Sequence, residues 1–144
     1  MTSYQATFSM YVDASVIVAV LLEEAGFERF GEPLTGPDRR FTSPLAIYEA
    51  TVALVRVRGV AVDLAKATVL EFLARGAISI GPHEAAHADG ALVAFDRFGK
   101  GRHPAALNMG DCFAYAAAQL AGAPILFKGN DFSQTDLPSA LPAS

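Results

Sequence analysis

Four carboxylates in this chain stand where an ordinary surface acid is not expected: Asp13, Glu49, Asp111 and Asp131. Asp13 ends the short apolar run Met10-Tyr11-Val12, and Asp131 follows another, Pro124-Ile125-Leu126-Phe127. Glu49 falls on the apolar stripe of a helical stretch, and Asp111 sits at the start of another. Without these four, the 15 acids would equal the 11 bases, so they account for the whole formal charge of −4. If they converge, their like charges raise one another's pKa unless a cation is present. Oxygen donors with no histidine or cysteine among them suit Mg²⁺ or Mn²⁺. Such ions activate water and stabilise the charge of phosphodiester cleavage, two of them standing ~3.5–4 Å apart in the paired arrangement.

The elements that must position these acids read as alternating strands and helices. Met10–Val12 is too short and too apolar for anything but a buried strand. Ser15 can then cap a helix over Val16 to Glu24, although Asp13 could also serve as the cap. Arg40-Phe41-Thr42-Ser43 reads as a second strand. Ser43-Pro44 is a strong helix start, an N-cap serine before a proline at the first position, and the helix should stop at Gly59. On it Leu45, Glu49, Val52 and Ala53 share one face. A carboxylate on such a stripe needs a cation, a proton or a metal. Asp63 should cap a helix to Arg75, followed by a strand over Ala77 to Ile80 and a helix over His83 to Phe98. Asn108 suits the N-cap of a last helix ending at Gly122, with Asp111 in its first turn, where the dipole favours a negative charge. The alternation predicts an α/β fold with a mainly parallel sheet. In such sheets ligands gather beyond the carboxyl ends of the strands, where Asp13 and Asp131 would lie.

At 144 residues the chain should form one domain with a full core. The 52% apolar content exceeds what a core alone needs and points to subunit or partner surfaces, while no run is long enough to span a membrane. Cys112 is the sole cysteine, which excludes an internal disulfide or a multi-cysteine zinc site and fits a reducing cytoplasm. Residues 1–9 lack the charged start and apolar block of a secretory leader and read as a loose extension, with Met10 an alternative start of translation. The tail is expected to loosen beyond Leu137. The net charge argues against a general nucleic-acid binder. Yet Arg97, Lys100, Arg102 and Lys128 face only Asp111 within residues 97–128, a basic strip suited to an anion. Cys112 reads as a small core residue, and His83 and His87 as surface histidines lacking a third ligand.

The pattern resembles the PIN-domain nucleases, specifically the VapC-type toxins of bacterial toxin–antitoxin pairs. It is carried by Tyr11-Val12-Asp13-Ala14-Ser15, by Ser43-Pro44 through Glu49-Ala50, and by Gly99-Lys100-Gly101-Arg102-His103-Pro104-Ala105. Most specific is Leu107-Asn108-Met109-Gly110-Asp111-Cys112-Phe113-Ala114-Tyr115-Ala116, followed by Leu126-Phe127-Lys128-Gly129-Asn130-Asp131-Phe132 and on to Asp136. The resemblance covers residues 10–137, leaving a 1–9 extension and a 138–144 tail. It implies a three-layer α/β/α fold and a metal-dependent endoribonuclease in which Asp13 and Asp111 are the principal ligands of Mg²⁺, with Mn²⁺ a substitute. Glu49 and Asp131 would complete the acidic set, with Ser15 and Asn108 behind the ligands. Asn130 stands where related chains often carry an acid, which leaves the fourth position to Asp131 or to none. Arg102 and Lys128 are candidate contacts to RNA phosphates. A small antitoxin is implied across an apolar groove near Phe27 and Phe30, and the apolar surplus fits a homodimer. Two other readings stand beside this one. One is a PIN-type nuclease of RNA processing without a toxin role, and the other a non-catalytic metal- or phosphate-binding α/β domain.

Overall fold

The computed structural model describes residues 8–141, so most of the expected extension and the end of the expected tail lie outside the described residues. Four short strands form one parallel sheet: β1 (Met10–Val12), β2 (Arg40–Thr42), β3 (Ile78–Ile80) and β4 (Ile125–Leu126), in the order β3-β2-β1-β4. Among the described residues six α-helices accompany them: α1 (Ala14–Leu21), α2 (Gly31–Thr35), α3 (Pro44–Arg58), α4 (Val62–Arg75), α5 (Ala85–Phe98) and α6 (Met109–Ala121). None is long and apolar enough to cross a membrane among the described residues.

β1, β2 and β4 are buried on both faces, as inner parallel strands require, whereas the edge strand β3 buries only Ile78 and leaves Ser79 and Ile80 exposed. Successive side chains alternate between the two faces. Met10, Val12, Ile78 and Leu126 pack under α1 to α4, whereas Tyr11, Phe41 and Ile125 pack under α5 and α6. The result is the three-layer α/β/α architecture. The small residues of α6 allow a close approach to α5: Ala116 is fully buried, and a Cβ on Gly90 would come within 3.0 Å of it.

Several element boundaries differ from the sequence reading. Asp13, not Ser15, caps α1: its carboxylate accepts from the first-turn amide of Ser15, which lies inside the helix. Ala61 rather than Asp63 precedes α4, and Asp63 lies in its first turn, where the helix dipole favours it. Glu84 and His87 form the capping box of α5, so the helix starts later than His83. The buried stripe of α3 is Ala46, Ala50, Thr51 and Leu54, which leaves Glu49 at its edge, half-buried. Residues 138–140 are tied to β4: the Ile125 N–H donates to the Pro138 carbonyl (3.0 Å) and the Ala140 N–H to the Ile125 carbonyl (2.9 Å). Leu141 packs partly against the core.

Candidate active site

β1 is the central strand from which the chain departs to β2 on one side and receives β4 on the other. That arrangement opens a crevice at the carboxyl ends of β1 and β4. Asp13 sits at this point. Its N–H still donates to the Leu126 carbonyl (3.0 Å), so the backbone is fixed by the sheet. Its Oδ2 accepts from the Ser15 N–H (3.1 Å), and the residue is only 6% exposed. Burial pushes its carboxyl up, opposed by hydrogen bonds from Ser15 and the Ala14 amide, with the charge of Asp131 adding to the rise.

Glu49 arrives on α3, whose start is pinned to β1. The Ser43 Oγ accepts from the Ala46 N–H (3.2 Å) and shares a hydrogen bond with the buried Tyr11 hydroxyl (2.8 Å). The Thr42 hydroxyl donates to the Val12 carbonyl (2.7 Å), locking β2 beside the end of β1. The Glu49 carboxyl is pushed up to about 7, by burial first and then by the charges of Asp13 and Asp111. Its room comes from Gly110, where any Cβ would overlap the Glu49 carboxylate. The Asn-Met-Gly-Asp stretch therefore has a glycine for lack of space, a role the sequence reading missed.

Asp111 is held by the capping box of α6. The Asn108 N–H donates to its Oδ2 (3.1 Å), and its own N–H donates to the Asn108 Oδ1 (2.8 Å). Its carboxyl is also pushed up to about 7, chiefly by burial, then by Asp13 and Asp131, against the Asn108 amide. Asp13, Glu49 and Asp111 share one cleft of about 330 Å³ with Ser15, Glu24 and Lys128. Asp131 is exposed at the edge, close enough to Asp111 to act on it as a like charge and hydrogen-bond partner.

The basic candidates separate. The Lys128 ammonium donates to Glu24 Oε1 (2.9 Å) at the cleft, and its backbone N–H donates to the Ser15 Oγ (3.0 Å). Arg102 pairs with Asp96 (2.8 Å) and stacks over Phe95, and it is not among the residues lining the cleft. His87 accepts the Glu84 N–H on its Nδ1. His83 is half-buried against Phe113 rather than on an open surface, with both ring nitrogens shielded and without a partner among the described residues, and burial holds its pKa below the usual value. Phe30, an expected groove residue, is fully buried in the core, whereas Phe27 remains partly exposed.

Among the described residues, no three His, Cys, Asp or Glu side chains are already arranged to hold a metal ion. Asp13 and Asp111 each accept a backbone amide on Oδ2 at 3.1 Å, and both line the cleft. Asp13, Glu49 and Asp111 are hard oxygen donors whose mutual repulsion a cation would relieve. Such a set fits a hard divalent ion bound through one or two carboxylates, with water as its other ligands.

A parallel α/β/α sandwich with three acids converging beyond its central strand defines a class, and the family model for the PIN domain matches residues 10–137. The chain belongs to the PIN-domain family, within its VapC ribonuclease group. It is 46% identical over 142 residues to VapC ribonuclease R02377 of Rhizobium meliloti, covering 88% of this chain and 98% of that protein. It is 39% identical over 139 residues to ribonuclease VapC30 of Mycobacterium tuberculosis, covering 92% and 100%. The fold is shared with the crystal structure of Mycobacterium tuberculosis VapC20, a sarcin-ricin loop cleaving toxin, at a TM-score of 0.73 and 18% identity over 93% of this chain and 100% of that one. A toxin–antitoxin complex from Klebsiella pneumoniae aligns at a TM-score of 0.63 and 15% identity, over 89% and 93%.

Proposed function

We propose that this chain is a Mg²⁺-dependent endoribonuclease, with Mn²⁺ an effective substitute, acting in the cytoplasm as the toxin of a toxin–antitoxin pair. The observation that carries the reading is the shared cleft of Asp13, Glu49 and Asp111 at the end of the central strand. Asp13 and Asp111 would hold the ion, with Glu49 and Asp131 completing the negative surround. Bound there, a divalent ion supplies Lewis acidity and a nucleophilic water at neutral pH. The carboxylates act as holders of charge rather than as nucleophiles. Ser15 and Asn108 fix the two ligand-bearing turns, and Lys128 offers the cleft a cation for the RNA phosphate.

The apolar surfaces suit the expected partners. Val20, Phe27, Leu34 and Phe72 line a groove of about 290 Å³ on the α1–α4 layer, suited to an antitoxin segment. On the other layer, Leu92, Phe95, Met109 and Phe113 surround a hollow of about 510 Å³. Leu92, Phe95 and Met109 are exposed there, a surface suited to a second copy of the chain.

The test is RNA cleavage by antitoxin-free protein, with and without Mg²⁺ or Mn²⁺, beside Asp13→Asn and Asp111→Asn. Cleavage should require the ion and fall by about a hundred-fold or more in either variant. Cleavage that survives in both variants would sink the assignment.

A further inference from the structure

We infer that Glu24 is a positioning residue for this reaction: it holds the Lys128 ammonium at the mouth of the acidic cleft, ready for the scissile region's phosphate. The inference rests on the ribonuclease reading. In the sequence Glu24 is only the last residue of the helix expected from Val16. The structure turns it inward. Glu23 adopts a left-handed φ of 50°, a conformation unusual for a non-glycine residue. The Glu24 N–H then donates to the Ala19 carbonyl (2.9 Å), and its own carbonyl accepts from the Phe27 N–H (3.0 Å). With its backbone fixed from both sides, Glu24 points into the cleft and accepts the Lys128 ammonium at 2.9 Å.

Among the described residues, Lys128 is the only base lining a cleft that otherwise presents Asp13, Glu24, Glu49 and Asp111. Its backbone is anchored by the Ser15 hydroxyl, but its four-carbon side chain is flexible and its ammonium a mobile point charge. Without a dedicated partner, that charge would be drawn onto Asp13, Glu49 or Asp111, where it would compete with a cation. Glu24 keeps it off those acids and beside the entrance. Both side chains are about one-third exposed, 30% for Lys128 and 35% for Glu24, so the pair is open to an incoming phosphate. An arriving phosphate oxygen would take over part of the ammonium's hydrogen bonding.

The experiment measures KM and kcat on a fluorophore-labelled single-stranded RNA oligonucleotide cut by the parent chain. The variants are Glu24→Gln, Glu24→Asp, Lys128→Met and the Glu24→Gln/Lys128→Met double. Loss of a negative charge from an acidic cleft would by itself favour RNA and lower KM. Positioning requires the opposite: Glu24→Gln should raise KM about three- to ten-fold with kcat changed less, and Glu24→Asp should recover part of the loss. In the Lys128→Met background Glu24→Gln should have no further effect. Melting temperatures should stay within a few degrees, because an exposed pair contributes little to stability. An unchanged or lowered KM in Glu24→Gln, or its full effect persisting without Lys128, would overturn the role while leaving the nuclease intact. A parent chain that cleaves no RNA with either ion would overturn the ribonuclease reading and this role with it.

Discussion

Glu49 and Asp111 set how the metal-free chain responds to pH. Both carboxyls are pushed up to about 7, whereas in the unfolded chain such groups titrate near about 4. Between those values the folded state binds more protons than the unfolded one, so stability falls as pH rises through this window. Below it both states are protonated and the penalty is absent; above it the penalty is complete. The melting temperature without metal should therefore drop between about pH 5 and pH 8, and Asp111→Asn should flatten that slope. Added Mg²⁺ or Mn²⁺ should raise the melting temperature more at the upper end than at the lower. Equal stabilisation at both ends would show that the ion binds away from these acids. Gly110 carries a second prediction. A methyl there meets the movable end of the Glu49 side chain rather than backbone, so Gly110→Ala should shift melting by only a few degrees. RNA cleavage should nevertheless fall by about tenfold or more, because Glu49 is displaced from the cleft. Near-parental cleavage would mean that Glu49 can vacate its place harmlessly. Asp13 and Asp111 were legible in the sequence because a strand end and a helix start announce themselves locally. The roles of Gly110 and Glu24 were not, since each depends on a partner from a distant element.

At the scale of elements, the site is a meeting of helix starts, and their caps carry more than helix stability. Ser43 both caps α3 and, through the Tyr11 hydroxyl, ties that helix to the strand bearing Asp13. Asn108 both caps α6 and takes one oxygen of Asp111 out of play through its amide. Asn108→Ala removes a side-chain cap worth about 1 kcal/mol, and urea denaturation should report a loss of that order. Cleavage should fall further than such a loss implies, because the turn that orients Asp111 is released. A fall in stability with unchanged cleavage would assign Asn108 to structure alone. Both caps were readable from serine before proline and asparagine before a helical run. The cap of α1 was not, because Asp13 and Ser15 are both capping residues and only the folded turn shows which one bends back. The edge position of Glu49 on α3 was also hidden. Its stripe and the buried stripe differ by one residue, a rotation that composition does not resolve when both faces are rich in alanine and valine.

At the scale of the whole molecule, the sheet separates the two apolar surfaces. The groove of Val20, Phe27, Leu34 and Phe72 belongs to the α1–α4 layer, and the hollow around Leu92, Phe95 and Met109 to the α5–α6 layer. The high apolar content made such surfaces legible, but not their number or their faces, because a hydrophobic count carries no direction. If the first takes an antitoxin segment and the second another copy of the chain, neither occupant blocks the other. Leu92→Lys places a charge on the lining of the hollow at a side chain already 66% exposed, so the monomer should fold normally. Light scattering should then find half the parental mass, with inhibition by the cognate antitoxin retained. Phe27→Lys should do the reverse, keeping the mass and weakening antitoxin inhibition by about tenfold or more, as expected for an aromatic anchor in a groove. Loss of both properties in either variant would mean that one surface serves both partners, and parental mass in Leu92→Lys would remove the hollow as the contact between copies.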